Sequence, residues 1–550
     1  MNSLLVFDYE TTGLDTSRDR PMQFACLRTD LDLNVIGAPT TLYCRPAPDH
    51  LPDPDACIVT GITPQLCEEV GLSELQFVED VHRQLSLPGT IAFGYNSIAF
   101  DDEITRFMLW RNLIDPYARE WKDGCGRWDL IGLVRAVQAL RPDTLEWPRD
   151  AGGKVSFKLE RLSSANGLLH ESAHDALSDV LATIALARLI RERQPQLYAH
   201  CFAMHDKTVA LQEMLPADPM QAAPFIHVGR GAPGTAGVRI MLAVAMHPTN
   251  RNEVIAWDLS QDPRQLLDID AETLRRRLFT EQEARPESFR PMPLHCVAAN
   301  RSPAVFKDLN LLSRERALEL GVDVGAALAN VADLREVLEA VQLPLLLQVA
   351  FARDTLEVDP EEALYAGFVG PDRRLLDQLR TLDVDSLGAV RPDFSDPRLP
   401  DLFLRYKARH FPQTLSAREQ DKWEEHRFDK LINGIPGSRT VSMVRATIAA
   451  CRRKLAAAGA PVDPAKFRIL DDVLAHTNRL AAEIDPFGSV APSEPLELPE
   501  SPVPPEALAP EPASAEPASG PAAVAAPVQP DLFGGADATP VARRARAGRS

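Results

Sequence analysis

Val6-Phe7-Asp8-Tyr9-Glu10-Thr11-Thr12-Gly13 is the stretch on which the reading of this chain turns. It continues an apolar run that begins at Leu4 and reads as a buried strand. Residues two apart on a strand point to the same face, so Asp8 and Glu10 project together from its end. Holding two carboxylates side by side away from water is costly unless a cation lies between them. Taken alone, the pair also fits a solvated edge strand that turns at Gly13.

Two later segments favour the cation. In Gly94-Tyr95-Asn96-Ser97-Ile98-Ala99-Phe100-Asp101-Asp102, the apolar strand at 91–93 gives way to a helical run, which puts Asp101 at a strand-to-helix junction. A helix-capping acid is the competing reading there, because a carboxylate suits the positive end of a helix. Asp102 should project about 100° away around the helix. In His174-Asp175-Ala176-Leu177-Ser178-Asp179, the helix that follows is expected to bury a stripe of Leu177, Val180, Leu181 and Ile184, with Asp179 on the far side. His174 stands five residues before Asp179, about 7.5 Å along a helix axis. It is too far to share an ion with Asp179 by helical spacing, yet able to reach a water held beside it.

Together these groups fit one chemistry. Three or four carboxylates holding two magnesium or manganese ions about 4 Å apart would clamp an in-line attack on a phosphodiester. Hard oxygen ligands select such ions over zinc. A histidine of ordinary pKa near about 6.5 is suited to take the proton from the attacking water. Asp8, Glu10, Asp101 and Asp179 are therefore the candidate metal ligands, and His174 is the candidate general base.

The rest of the chain sets the frame. It has 550 residues, 59 basic and 78 acidic, for a net charge of −19, which argues against a wholly basic nucleic-acid coat. A local basic groove in an acidic body stays open. No apolar run reaches the roughly 18 residues of a membrane span. Asp8 and Glu10 in the first ten residues argue against a leading signal peptide, so a cytoplasmic protein is expected. The eight cysteines show no Cys-x-x-Cys spacing, as in a reduced chain without a disulfide framework or zinc site. From Ala491 onward the chain carries 13 of its 46 prolines, few large apolar residues and no periodicity, and 491–550 is expected to be disordered. Three folded units are expected before it. Residues 1–195 alternate strands and helices as in a mixed α/β sheet, with a boundary at Arg193-Gln194-Pro195; 200–352 is β-rich, with strands at 225–228, 238–244 and 253–257; 355–488 is helical.

An Asp-x-Glu pair, a later aspartate after Asn96 and His-x-x-x-x-Asp resemble the signature of the DEDD exonuclease superfamily, histidine subtype. Further text resembles its bacterial exodeoxyribonuclease I family. This includes Ile-Thr-Pro-Gln at 62–65, the run at 94–103, Arg-Trp-Asp-Leu at 127–130 and Ala-Asn-Gly-Leu-Leu-His-Glu at 165–171. His-Pro-Thr-Asn-Arg-Asn at 247–252, Leu-Tyr-Ala-Gly-Phe at 364–368 and the run at 405–415 extend the likeness beyond the first unit, to about residue 485. The resemblance implies a ribonuclease H-like exonuclease domain, an SH3-like β domain and an all-helical domain, forming a groove for single-stranded DNA. It implies processive 3′→5′ release of 5′-mononucleotides with Mg²⁺, for which Mn²⁺ can substitute, in DNA repair and recombination by a monomer. It assigns Asp8, Glu10, Asp101 and Asp179 to the metals and His174 to the base. It also places Glu10 near the terminal nucleotide's 3′ end, as a catalytic and substrate-binding group. Lys158 falls where an arginine contacting substrate phosphate is expected, which keeps the charge but loses the bidentate fork. A further implied partner is the acidic C-terminal tail of single-stranded DNA-binding protein.

Local basic clusters must carry DNA binding in so acidic a chain. Arg405, Tyr406, Lys407 and Arg409 interleave an aromatic with cations, which suits stacking and phosphate contact. The runs at 275–277 and 452–454 read rather as solvated helix faces, and Trp128 beside Arg127 fits either a stacking surface or the core, the latter being the commoner place for a tryptophan followed by Asp-Leu-Ile. In the tail, Gln529-Pro530-Asp531-Leu532-Phe533 resembles peptides that dock into bacterial sliding clamps through Gln529, Leu532 and Phe533. The rival readings are an exonuclease acting on RNA, a polymerase proofreader, and a non-catalytic adaptor that binds single strands.

Overall fold

The computed structural model describes residues 2–168, 175–215, 222–230, 236–280, 284–286, 289–352, 358–457, 463–486 and 488. His174 and the tail with Gln529, Leu532 and Phe533 lie outside the described residues.

Five strands form the first sheet: β1 (Ser3–Thr11), β2 (Pro21–Thr29), β3 (Thr40–Tyr43), β4 (Thr90–Gly94) and β5 (Gly126–Asp129), in the order β3-β2-β1-β4-β5. β1 runs antiparallel to β2 and parallel to β4, and β4 runs parallel to β5. The alternation along β1 sorts its side chains onto two cores. Leu5, Phe7 and Tyr9 pack with Phe24, Phe77, Val81, Ile104 and Met108, beneath the helices Glu74–Leu85 and Asp101–Arg111. Leu4 and Val6 face the opposite layer with Trp128, Val134, Val180 and Ile184, beneath Leu130–Leu140 and Ala176–Arg193. Asp8 and Glu10 continue this second face to the strand's end, where the register with β2 shifts between Glu10 and Thr11.

Trp128 is core, as the sequence suggested: its ring stacks on Phe93 at 4.6 Å and its indole N–H donates to the Cys201 carbonyl at 3.2 Å. That second contact bears on the expected boundary. The chain turns at Gln194, but the helix Pro195–Ala203 packs back onto Trp128 through Tyr198 and Phe202. The same core then runs on to Ile226, Val228, Ala304 and Phe306 of a second sheet. The expected stripe on Ala176–Arg193 also needs correction. Val180 and Ile184 are buried with Ala187 and Ile190, but Leu181 is about half exposed, because the sheet contacts the helix along a line one position away.

The second sheet is antiparallel throughout: β6 (Phe225–Val228), β7 (Val238–Met246), β8 (Glu253–Asp258), β9 (Leu294–Ala298) and β10 (Ala304–Phe306), in the order β10-β6-β7-β8-β9. Its outer face is covered by the helices Val324–Ala340 and Leu343–Ala350 through Leu334, Val337, Leu343 and Leu347. From residue 358 on, the described residues form helices joined by loops. They dock on the first unit by two apolar seams, one joining Phe107 and Trp110 to Leu399, Leu402 and Tyr406, the other joining Leu51 and Cys57 to Val441, Val444 and Leu470.

One expectation fails here. Arg405, Tyr406, Lys407 and Arg409 lie on the helix Leu399–His410; the first three are buried and the Arg409 side chain is 2% exposed, so this run presents no stacking or phosphate-binding face. Arg405 donates to Asp359 at 2.6 and 2.9 Å, Lys407 to Glu419 at 2.6 Å, and Arg409 to Asp49 at 2.7 Å. Tyr406 sits in the Phe107–Trp110 seam. The charges are consumed inside the protein by acids distant in sequence.

All eight cysteines are free thiols. Among the described residues no helix is long and apolar enough to cross a membrane.

Candidate active site

Three elements bring the acids together. The end of β1 supplies Asp8 and Glu10, and the Ala176–Arg193 helix supplies Asp179 from its first turn. Ligand oxygens of all three lie within 4.8 Å of one another. Asp101, the first residue of the Asp101–Arg111 helix, approaches from the other layer, and its carboxylate accepts the backbone N–H of Tyr9 at 3.2 Å. Tyr9 lies between Asp8 and Glu10 in sequence, so this bond seats Asp101 against the same strand end. The four acids singled out in the sequence thus share one place. Asp102 projects away, as helix geometry requires, into a buried pairing with Arg119 at 2.7 Å and Arg127 at 3.1 Å.

Supporting groups fix each element. Asp129, at the end of β5, accepts the backbone N–H groups of Asn96 at 2.8 Å, Ile98 at 3.1 Å and Ile131 at 3.0 Å. It therefore holds the loop that delivers Asp101, in which Asn96 adopts φ 61°, a left-handed conformation that asparagine tolerates. Gln23 of β2, opposite Glu10 in the ladder, donates to Asp175 at 3.2 Å and accepts the Ala176 N–H at 3.2 Å. Asp175 also caps the helix by accepting the Ser178 N–H at 3.2 Å. The start of the helix that carries Asp179 is so pinned to the strand beside Glu10. Asp175 was readable as a cap before a helical run, whereas Gln23 carried no sequence signal, because its role depends on strand register.

The electrostatics are those of a cluster built for cations. Burial, followed by Asp101, Asp179 and Glu10, pushes the Asp8 carboxyl well above its ordinary range. Burial and then Asp179 and Asp175 push Glu10 up to about 8. Burial and then Asp102 raise Asp101 well above a normal aspartate. Among the described residues no basic side chain forms an ion pair with Asp8, Glu10 or Asp101. Hard oxygen donors at this spacing fit a divalent cation such as magnesium or manganese. A second donor set, His247, Glu253 and Cys296, also lies within 4.8 Å. There, however, His247 Nδ1 accepts the N–H groups of Thr249 at 3.2 Å and Asn250 at 3.0 Å. The ring proton then sits on Nε2, the nitrogen facing Glu253, so this set does not suit a metal.

Lys158 precedes the helix Leu159–Ala165, with its side chain 67% exposed and its amine 3.7 Å from Glu160. A groove of about 600 Å³ runs between the first and second sheets, lined in part by Asn96, Asp129, Arg135, His227, Arg230 and Ser302. Arg135 and Arg230 have no ion-pair partner among the described residues. Burial and then Arg230 hold the Arg135 pKa below its ordinary value. These two cations carried no cluster signal, because one lies on the Leu130–Leu140 helix and the other just after β6.

Three stretches of the chain match known families. Residues 5–187 match the exonuclease family, 206–349 the exonuclease I SH3-like domain and 358–480 the exonuclease I C-terminal domain. The chain is 41% identical over 436 residues to exodeoxyribonuclease I of Haemophilus influenzae, covering 78% of this chain and 90% of that protein. It is 39% identical to the Escherichia coli protein of that name, covering 78% and 89%. A solved exonuclease I from Methylocaldum szegediense is similar with a TM-score of 0.80 and 42% identity, over 87% of this chain and 100% of that one. E. coli exonuclease I in complex with a dA16 oligonucleotide is similar with a TM-score of 0.78 and 36% identity, over 87% and 100%. Related structures include a zinc-bound complex of E. coli exonuclease I with single-stranded DNA, and a complex of exonuclease I with the SSB-Ct.

Proposed function

Because this chain belongs to the exodeoxyribonuclease I family, and is on that ground an exonuclease, we propose that it degrades single-stranded DNA processively from the 3′ end, releasing 5′-mononucleotides. The observation that carries this reading is the convergence of Asp8, Glu10 and Asp179 within 4.8 Å, with no basic side chain paired to Asp8 or Glu10 among the described residues. Asp8, Glu10, Asp101 and Asp179 would hold two divalent ions, Mg²⁺ with Mn²⁺ as substitute, which when bound neutralise phosphate charge and favour deprotonation of water. Water attacks the terminal phosphorus, the bond from phosphorus to the 3′ oxygen breaks, and the shortened strand keeps a 3′-hydroxyl. His174, five positions before Asp179, takes the proton of that water. Glu10 orients the terminal 3′ end, and the exposed Lys158 contacts phosphate as a point charge.

Single-stranded DNA also occupies the relatives' complexes, which supports DNA as the substrate here. Arg135 and Arg230 receive its phosphates in the groove between the two sheets. Arg135→Ala is expected to weaken DNA binding uniformly across sequences and to reduce the salt slope of log K by roughly 1, as loss of one phosphate contact does. Filter binding over a salt series measures both. The SSB tail bound in a relative supports the same partner for this chain, and the LeuPhe pair at 532–533 is the proposed clamp anchor. Leu532→Ala with Phe533→Ala should abolish binding of a tail peptide to the clamp. The repair and recombination role and the cytoplasmic site follow from the family reading.

The substrate class is tested with 5′-labelled single-stranded DNA, RNA of the same sequence and blunt duplex. Stepwise shortening of the DNA strand alone is expected. RNA degraded as fast as DNA would replace this reading with an exoribonuclease.

A further inference from the structure

Glu103 lies two residues after Asp101 on the same helical turn, is buried, and receives bonds from all three parts of the chain. Arg106, on its own helix, donates to Glu103 Oε1 at 2.8 Å. Arg301, from the loop between β9 and β10, donates to the same oxygen at 3.0 Å. Tyr365, from the helical turn Ala363–Ala366, donates its hydroxyl to Oε2, and that hydroxyl accepts from Arg106 at 3.0 Å. The surroundings repeat the pattern. Arg127 of β5 donates to the Asn300 carbonyl at 2.9 Å, and Ser302 donates to the Arg127 carbonyl at 3.3 Å. Arg106 is in turn held by Glu120 at 2.7 and 2.9 Å.

One carboxylate therefore anchors the second and third domains to the turn that presents a metal-binding acid. We infer that Glu103 is a positioning residue, a latch through which Arg301 and Tyr365 keep the outer domains closed on the strand while it is cleaved. This rests on the exonuclease reading above. Arg301 and Tyr365, both about half exposed, hold the two oxygens of one carboxylate, and Arg106 touches both that carboxylate and the Tyr365 hydroxyl, so release of either domain alters the bonds around Glu103. A buried carboxylate that loses a donor also carries a desolvation cost. Opening at either domain is thereby resisted at the same turn, and the enzyme stays on its strand between successive cuts.

The test uses the full chain with magnesium, a long 5′-labelled single strand with a heparin trap, and a trinucleotide whose cleavage needs only the carboxylate site. Tyr365→Phe removes the hydroxyl but keeps the ring against Phe107, 5.9 Å away, so the fold is retained. Tyr365→Phe and Arg301→Ala are each expected to shorten the run before dissociation about 5-fold or more, within the range of coupling between sites. Trinucleotide cleavage should change less than about twofold, and Tyr365→Phe should add less than about twofold in a Glu103→Gln background, because both act through one group. Unchanged run lengths, or full additivity in that background, would overturn the latch. So would Arg301→Ala lowering the salt slope of binding by roughly 1, which marks a phosphate contact instead. A wild-type chain that leaves both substrates intact contradicts the exonuclease reading. A processive wild type with unaltered variants contradicts the latch alone.

Discussion

Asp8→Asn is expected to lower turnover by at least about 10³-fold, roughly 4 kcal/mol of transition-state stabilisation, while leaving the metal-free protein no less stable than wild type. The two effects share one cause. In the folded chain the Asp8 carboxyl is raised well above its ordinary range by burial and by Asp101, Asp179 and Glu10. A carboxyl with a raised folded pKa binds more protons folded than unfolded, so it costs stability once pH exceeds the unfolded value near about 4. The amide removes that cost together with one proposed cation ligand. In chelator at neutral pH the variant's Tm should equal or exceed that of wild type, by roughly 1–4 °C. Magnesium should raise the wild-type Tm, as expected of an ion that binds the native cluster and not the unfolded chain, and should raise that of Asp8→Asn much less. Thermal unfolding with and without metal, beside a turnover assay, measures both. A variant destabilised in chelator would mean that Asp8 makes a favourable structural contact instead.

Asp49→Ala is expected to destabilise the chain by about 3–5 kcal/mol, the range seen when one partner of a buried ion pair is removed. Asp49 has no exposed surface. It accepts from Arg409 at 2.7 and 3.0 Å, from Lys430 at 3.1 Å and from Arg20 at 3.2 Å. Arg409 and Lys430 belong to the helical domain, so the loss leaves them and Arg20 with only Glu361 and Glu74 as counter-charges where that domain meets the first. Burial alone would raise the Asp49 carboxyl, but Arg409, Lys430 and Arg20 hold it well below the usual carboxylate range. Its contribution is therefore fully present above the unfolded value near about 4 and is lost as pH falls through the lower folded value. Urea unfolding at pH 7 and at pH 3 reads this directly. The gap between wild type and variant should narrow at the lower pH, and a gap unchanged with pH would contradict the assignment.

What could be read before the fold was known follows from local rules. The period of two along 4–10 places Asp8 and Glu10 on one face wherever the strand lies. Asp101 follows from a strand passing into a helix. Asp179 follows from spacing within a helix, although Leu181 lies outside the buried stripe because the sheet selects a slightly rotated face. Other features depend on residues far apart in sequence. Gln23 supports the Asp179 helix only because β2 pairs beside Glu10. Arg135 and Arg230 meet only because the second sheet shares a core with the first. The run 405–409 shows the converse failure. Its mix of cations and an aromatic has the composition of a nucleic-acid surface, yet Asp49, Asp359 and Glu419 neutralise it inside the protein.

The converging carboxylates are expected to perform metal-dependent cleavage from the 3′ end. This is tested most directly by incubating the full chain with 5′-labelled single-stranded DNA, with magnesium or with chelator, beside Asp179→Ala. The expected result is a ladder that shortens from the 3′ end with magnesium and disappears with chelator and with the variant. Tight binding without cleavage under any divalent ion, or an undiminished ladder from Asp179→Ala, would contradict it.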